Sequence, residues 1–175
     1  MSEPVPSSYL QGSDVLEDAL VRELLEARLV GVFATFDDDR IHAVPMWFAR
    51  DGDRVCLATG SRSRKVRNLA RDARATLVLH DSRPGFEVCG ASLSGRAEIV
   101  EGNDARRLVE LVHRRYVTPA GEGHESVREF LGSDDVAIRF TPETALTWDE
   151  RPSPASAALR ESGGAVPLVP TDPRP

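Results

Sequence analysis

Residues 29 to 59 constrain the fold most. LVGVFATF (29–36), IHAVPMWFAR (41–50) and RVCLAT (54–59) are short apolar or alternating runs, joined by the acidic turns DDDR and DGD. Three consecutive short strands with such tight links read as an antiparallel meander.

Upstream, Ser13 or Asp14 can cap a helix in which Leu16, Leu20 and Leu24 recur every four residues beside Val21 and Leu25, ending near Arg28. Downstream, SRSRKVRNLARDAR starts with Ser61 or Ser63 as a cap and spaces Val66 and Leu69 for about two helical turns. ATLVLH (75–80) resumes the sheet. The run FEVCGASLSGRAEIVE (86–101) is too long for one straight strand, and Gly90 and Gly95 mark bulges or bends of the kind that curl a small sheet into a barrel. Asp104 to Tyr116 alternates inward Leu108, Leu111 and Val112 with outward arginines, a second amphipathic helix. DVAIRFTPETALTW (135–148) supplies a last strand, or a pair bent at Pro142. Residues 1–13 are expected to be flexible and 14–150 to form one domain. The segment 151–175, rich in proline, is expected to be disordered.

At 175 residues, 41% hydrophobic and 29% charged, the chain suits a single globular domain with a real core. A net charge of −6 opposes nucleic acid as a partner, except through a local basic patch. No apolar run approaches membrane-spanning length and MSEPVPSSYLQGS lacks the regions of a signal peptide, so the expected location is cytoplasmic, with no membrane partner. Cys56 and Cys89 lie in apolar runs without metal-ligand spacing and read as buried, reduced thiols. His80, His113 and His124 show no recurring partner spacing, so no metal site is expected. His42 reads as a surface or contact residue on a strand, and the carboxylates Asp37 to Asp39 as solvated turn residues.

Lys65 is the single lysine among 22 basic residues. It sits where a strand gives way to a helix, a position whose unpaired N–H groups and dipole favour an anion. A compact ammonium there binds phosphate as a point charge. A solvated helix face remains the alternative for the arginines around it.

The order of elements, with LATGSRSRKVRNLARDARATLVL followed by SGRAEIVEG, resembles the pyridoxamine 5'-phosphate oxidase-like split-barrel family, whose members bind FMN or coenzyme F-420. The resemblance covers roughly residues 24–149. It implies a mainly β fold with flanking helices (α+β), a six-stranded antiparallel split β-barrel of the FMN-binding type. It implies that Ser63, Arg64 and Lys65 grip the cofactor phosphate, with Thr59 and the backbone of Ala58 beside phosphate and ribityl chain. Val44, Pro45, Met46 and Trp47 would run along the ring. A homodimer with the cofactor between subunits, and hydride transfer to or from a small organic substrate, are implied as well. A flavin or haem carrier without catalysis, or a structural dimer without ligand, are the alternatives. Vitamin B6 oxidation is not expected: Ala43 and Phe48 stand where basic residues would meet FMN, and the C-terminus lacks the Arg-x-His segment; Gly90, near a ring-contacting glutamine of those enzymes, is a departure that counts against FMN.

Overall fold

A computed structural model describes residues 8–83, 87–132 and 134–164. In chain order the elements are β1 (Ser8–Gln11), α1 (Asp14–Glu17), α2 (Ala19–Glu26), β2 (Gly31–Asp37), β3 (Arg40–Met46), β4 (Phe48–Asp51), β5 (Arg54–Gly60) and α3 (Arg64–Arg71). They continue as β6 (Arg74–Arg83), β7 (Glu87–Val100), α4 (Gly102–Tyr116), α5 (Pro119–Glu122), α6 (Glu125–Leu131), β8 (Asp135–Asp149) and α7 (Pro154–Ser162). Among the described residues every strand pairing is antiparallel, in the order β3-β2-β6-β7-β8-β5-β4, with β1 added to β8. The α+β class holds, and the sheet has eight strands rather than six.

The extra strands have local causes. The run expected as one strand over 41–50 breaks at Trp47 into β3 and β4, which lie at opposite ends of the strand order. One residue cannot span a flat sheet of that width, because strands lie about 4.8 Å apart. The sheet must therefore curl until its two edges meet at Trp47, leaving a split between β3 and β4. Bending is helped at Ser94/Gly95, where the register of β7 against β8 shifts. A Cβ on Gly95 would lie 2.1 Å from the Thr141 carbonyl oxygen, so only glycine lets the two backbones approach this closely.

Period-two alternation fills the barrel. Phe33, Phe48, Leu57, Leu77, Leu79, Leu93, Ile138 and Phe140 are all fully buried, and Phe33 meets Phe140 edge-on at 5.9 Å. Val21, Leu24 and Leu25 of α2 join this core. The single N-terminal helix expected from the leucine spacing is interrupted at Asp18, whose carboxylate accepts hydrogen bonds from the N–H groups of Leu20 and Val21, both at 3.0 Å. On the outer side, Leu108, Val109 and Val112 of α4 pack on Ala49, Cys56 and Ala137. Both cysteines are free and buried, and burial pushes the Cys56 thiol up to about 11.

Both termini are more ordered than composition suggested. Ser8–Gln11 pairs with β8, and Pro154–Ser162 is helical. Ser153 accepts a hydrogen bond from the Ser156 N–H, Pro154 occupies the first turn where its missing N–H costs nothing, and Arg160 pairs with Glu87. The proline count hid a good helical stretch, ASAALRES. Residues 1–7 and 165–175 lie outside the described residues, as does the expected turn at Pro84–Gly85. Among the described residues, no helix is long and apolar enough to cross a membrane.

Candidate functional site

The split in the barrel is where chemistry-bearing residues collect. β5 ends with Ala58, Thr59 and Gly60, and the chain then turns through Ser61 and Arg62 into α3. Ser63 is the N-cap residue of α3, yet its side chain makes no capping hydrogen bond. It accepts instead from the Thr59 hydroxyl at 3.3 Å, and Thr59 accepts from Lys65 Nζ at 3.0 Å. Lys65 thus donates to Thr59, and Thr59 to Ser63. The three sit at the first turn of a helix whose dipole favours an anion.

The electrostatics around Lys65 pull in two directions. Lys65 is half-buried, and the lost hydration lowers its pKa, with the Asp135 carboxylate opposing that shift. The neighbouring arginines point elsewhere. Arg71 donates to Asp37 at 3.0 Å and to Asn68 Oδ1 at 3.1 Å, and Arg64 lies 3.6 Å from Asp37. The acidic turn after β2 is therefore an anchor for α3, not merely solvated. Buried Asn68 adds to it by donating to Thr35 at 3.0 Å. Arg64 was expected beside Lys65 on a phosphate, and instead its exposed side chain reaches toward β2.

Thr59 opens into a cleft of about 310 Å³ bounded by Pro45, Met46 and Trp47 on one side and by Ala58 and Gly60 on the other. Val44 does not line it: its side chain packs with the core, in register with buried Phe33. Alternation along β3 puts Val44 and Met46 on the core side and Ala43 and Pro45 on the other, and of the core-side pair Met46, at the end of the strand, is the one that reaches the cleft. His42 is half-buried on the same strand, outside this lining.

Trp47 is the pivot. Its indole stacks on Tyr116 with centroids 4.9 Å apart and planes 5° from parallel, and Phe130 meets it edge-on at 6.0 Å. Tyr116 is itself fixed, because its hydroxyl donates to the Leu29 carbonyl at 2.6 Å and accepts from the Phe48 N–H at 3.4 Å. Next to it, the Arg115 guanidinium donates to the carbonyls of Leu25 and Ala27, tying the end of α4 to the chain entering β2.

Three lining residues were not singled out as site residues from the sequence. His113 is buried, lies edge-on to Trp47 at 6.4 Å, and places Nε2 3.7 Å from Asp135 Oδ2. Burial lowers its pKa and Asp135 partly offsets this, so the imidazole is held toward its neutral form. The signal existed: Val109, Val112, His113 and Tyr116 share a helical face, which brings His113 inward with the apolar residues. Phe130 and Asp135 gave no such signal, because the residues between Tyr116 and Asp135 lack strong periodicity. Among the described residues no group of acidic, histidine and cysteine side chains could hold a metal ion.

The cleft fits a phosphorylated planar cofactor in two respects: a hydroxyl–ammonium cluster at a helix start, and an adjoining wall of Pro45, Met46 and Trp47. The positions expected to depart from the vitamin B6 oxidases are Ala43, Phe48 and Gly90. Phe48 is fully buried and Ala43 has no charge to offer. Over Gly90 lies the indole of Trp148, so near that a Cβ there would sit 2.2 Å from the ring.

Comparison with known proteins agrees with this geometry. The solved structure of conserved hypothetical protein Rv2991 from Mycobacterium tuberculosis is 25% identical, with a TM-score of 0.65, 94% of this chain covered and 98% of that one. An F-420 reductase is 25% identical with a TM-score of 0.54, covering 71% of this chain and 94% of the other. The FAD and heme binding protein from Mycobacterium smegmatis shares the fold at 21% identity, TM-score 0.62, with 95% and 87% covered. A comparison with curated proteins returns no match. The profile described as pyridoxamine 5'-phosphate oxidase matches residues 18–149, which contain the whole cleft, and the chain belongs to that family.

Proposed function

We propose that the protein is a flavin- or deazaflavin-dependent oxidoreductase, taking FMN or coenzyme F-420, that moves a hydride between the bound ring and a small organic molecule other than a B6 vitamer. The observation that carries this reading is the Lys65–Thr59–Ser63 chain of hydrogen bonds at the start of α3, opening directly into the cleft beside Trp47. Ser63, Thr59 and Lys65 would take the phosphate, and Pro45, Met46 and Trp47 would flank the ring. The ring supplies the hydride chemistry, and the protein binds and orients it. Arg64 would join only by leaving Asp37.

The site is open toward the outer sheet face, which supports a homodimer. Pro45, Val32, Val78, Ser92, Leu146 and Tyr9 follow one another in register across that face. Tyr9, Val32 and Leu146 are 64%, 42% and 48% exposed, an apolar row that a second copy would cover. With Pro45 at one end of the row, a partner seated there would also wall the cleft.

The test is to incubate the purified protein with FMN or with F-420, remove free cofactor by gel filtration, and record the spectrum and mass. Co-elution of one of them near one per chain, on a dimer, is expected. Elution of the protein without either cofactor refutes the reading. Tight binding without turnover of any acceptor would instead mark a carrier.

A further inference from the structure

A second cleft lies on the other side of Trp47 and Phe130, which line both. It is an open groove of about 350 Å³. Its floor is Tyr116 with Val117, and its outer wall is Val127 and Ser126 of α6. None of its lining side chains carries a charge, in a chain that is 29% charged. The contrast is local: a neighbouring cleft along α4 is lined by Arg106, Glu110, Arg114 and Glu122. Gly121 keeps the uncharged cleft open, since even a Cβ there would come within 3.2 Å of Val117.

We propose that this cleft binds an uncharged, flat aromatic molecule, one or two rings in size. Trp47, Tyr116 and Phe130 offer ring faces and edges, and their mutual stacked and edge-on packing is the geometry in which a further aromatic ring is held. A charged ligand would find no counter-charge in this lining. The volume is in the range that holds small organic ligands. Trp47 and Phe130 separate this cleft from the anion seat, so its occupant is a second ligand whose binding does not rest on the cofactor reading.

The probe pair is 2-naphthol and 2-naphthalenesulfonate, the same ring system without and with a charge, titrated in the absence of cofactor. Trp148→Phe leaves Trp47 as the single tryptophan. Saturable quenching of Trp47 by 2-naphthol is expected, with the sulfonate weaker by about tenfold or more. Ser126→Phe fills the cleft from its outer wall and should weaken 2-naphthol about tenfold, while leaving FMN and F-420 titrations as in wild type. Calorimetry on the wild-type chain and Ser126→Phe gives the same comparison if Trp148→Phe fails to fold. Equal 2-naphthol affinity in wild type and Ser126→Phe, or equal affinity for both probes, overturns the proposal. Failure of FMN and F-420 to bind, with 2-naphthol still bound and blocked by Ser126→Phe, refutes the cofactor reading and leaves the cleft assignment standing.

Discussion

Two phenylalanines mark two regions built on different principles. Phe33 in β2 is fully buried and meets Phe140 edge-on at 5.9 Å, whereas Phe130 in α6 meets Trp47 in the same manner at 6.0 Å yet stays 59% exposed. The barrel interior is packed by the sheet together with side chains of α1, α2 and α3. The α5–α6 pair has no buried residue at all. A similar aromatic contact therefore sits in a rigid frame in one case and on a thin wall in the other. The frame fixes Thr59, Trp47 and the start of α3, and the thin wall bounds the space where a ligand enters. Stability and access are divided between the two regions.

The largest expected effect sharpens this division from the barrel side. Phe33→Ala should cost about 3–5 kcal/mol in denaturant unfolding, the usual range for emptying a packed aromatic site. Phe130→Ala should cost about 1 kcal/mol or less, since so much of the ring is already in water. Comparable losses for the two variants would break the contrast. Amide hydrogen exchange reads it without mutation: the N–H groups of α5 and α6 should exchange through local opening, well ahead of those in β6 and β7.

The smallest effect concerns acid stability at the boundary between the regions. His113 has its folded pKa held below its ordinary 6.5 by burial, so between those two values the unfolded chain binds more protons than the folded one. Its contribution is present above about pH 6.5 and is lost as the pH falls through the folded pKa. Unfolding free energy should therefore decline from pH 7.5 to 5.5 in the wild type, and His113→Gln should flatten that decline. An unchanged slope would mean that His113 is not the group responsible.

The barrel was legible because alternation is a local signal with one cheap physical meaning. Phe33, Leu57, Leu77 and Leu93 point inward wherever the strands are drawn correctly. The contact between Thr59 and Ser63 was legible for a related reason: Thr59 ends a strand and Ser63 starts a helix, so their meeting follows from local structure. Lys65 fell into place with them. Three features were not readable from local pattern, and a fourth, Val44, was misplaced. The break at Trp47 depends on closure of the sheet across distant strands, and no local pattern announces it. The attachment of Arg64 and Arg71 to Asp37 depends on where α3 lies against β2, a tertiary fact. Val44 was placed along the ring with Pro45 and Met46, although alternation turns Val44 and Met46 alike toward the core, and only Met46, at the strand end, also meets the cleft. The wall formed by Phe130 belongs to helices so short and polar that periodicity cannot reveal them.

The central claim is that Thr59, Ser63 and Lys65 form a phosphate seat, and titration of FMN and F-420 into wild type, Lys65→Ala and Lys65→Arg tests it most directly. Lys65→Ala should weaken the bound cofactor about tenfold or more, since a charge-assisted hydrogen bond is worth roughly 1.5 kcal/mol or above. Lys65→Arg should fall between, because a planar guanidinium fits poorly in a half-buried seat shaped around a hydroxyl. Unfolding midpoints should stay close to wild type, and restoring free phosphate as a competitor should weaken wild type more than Lys65→Ala. Identical dissociation constants for all three proteins would contradict the account and place the anion elsewhere.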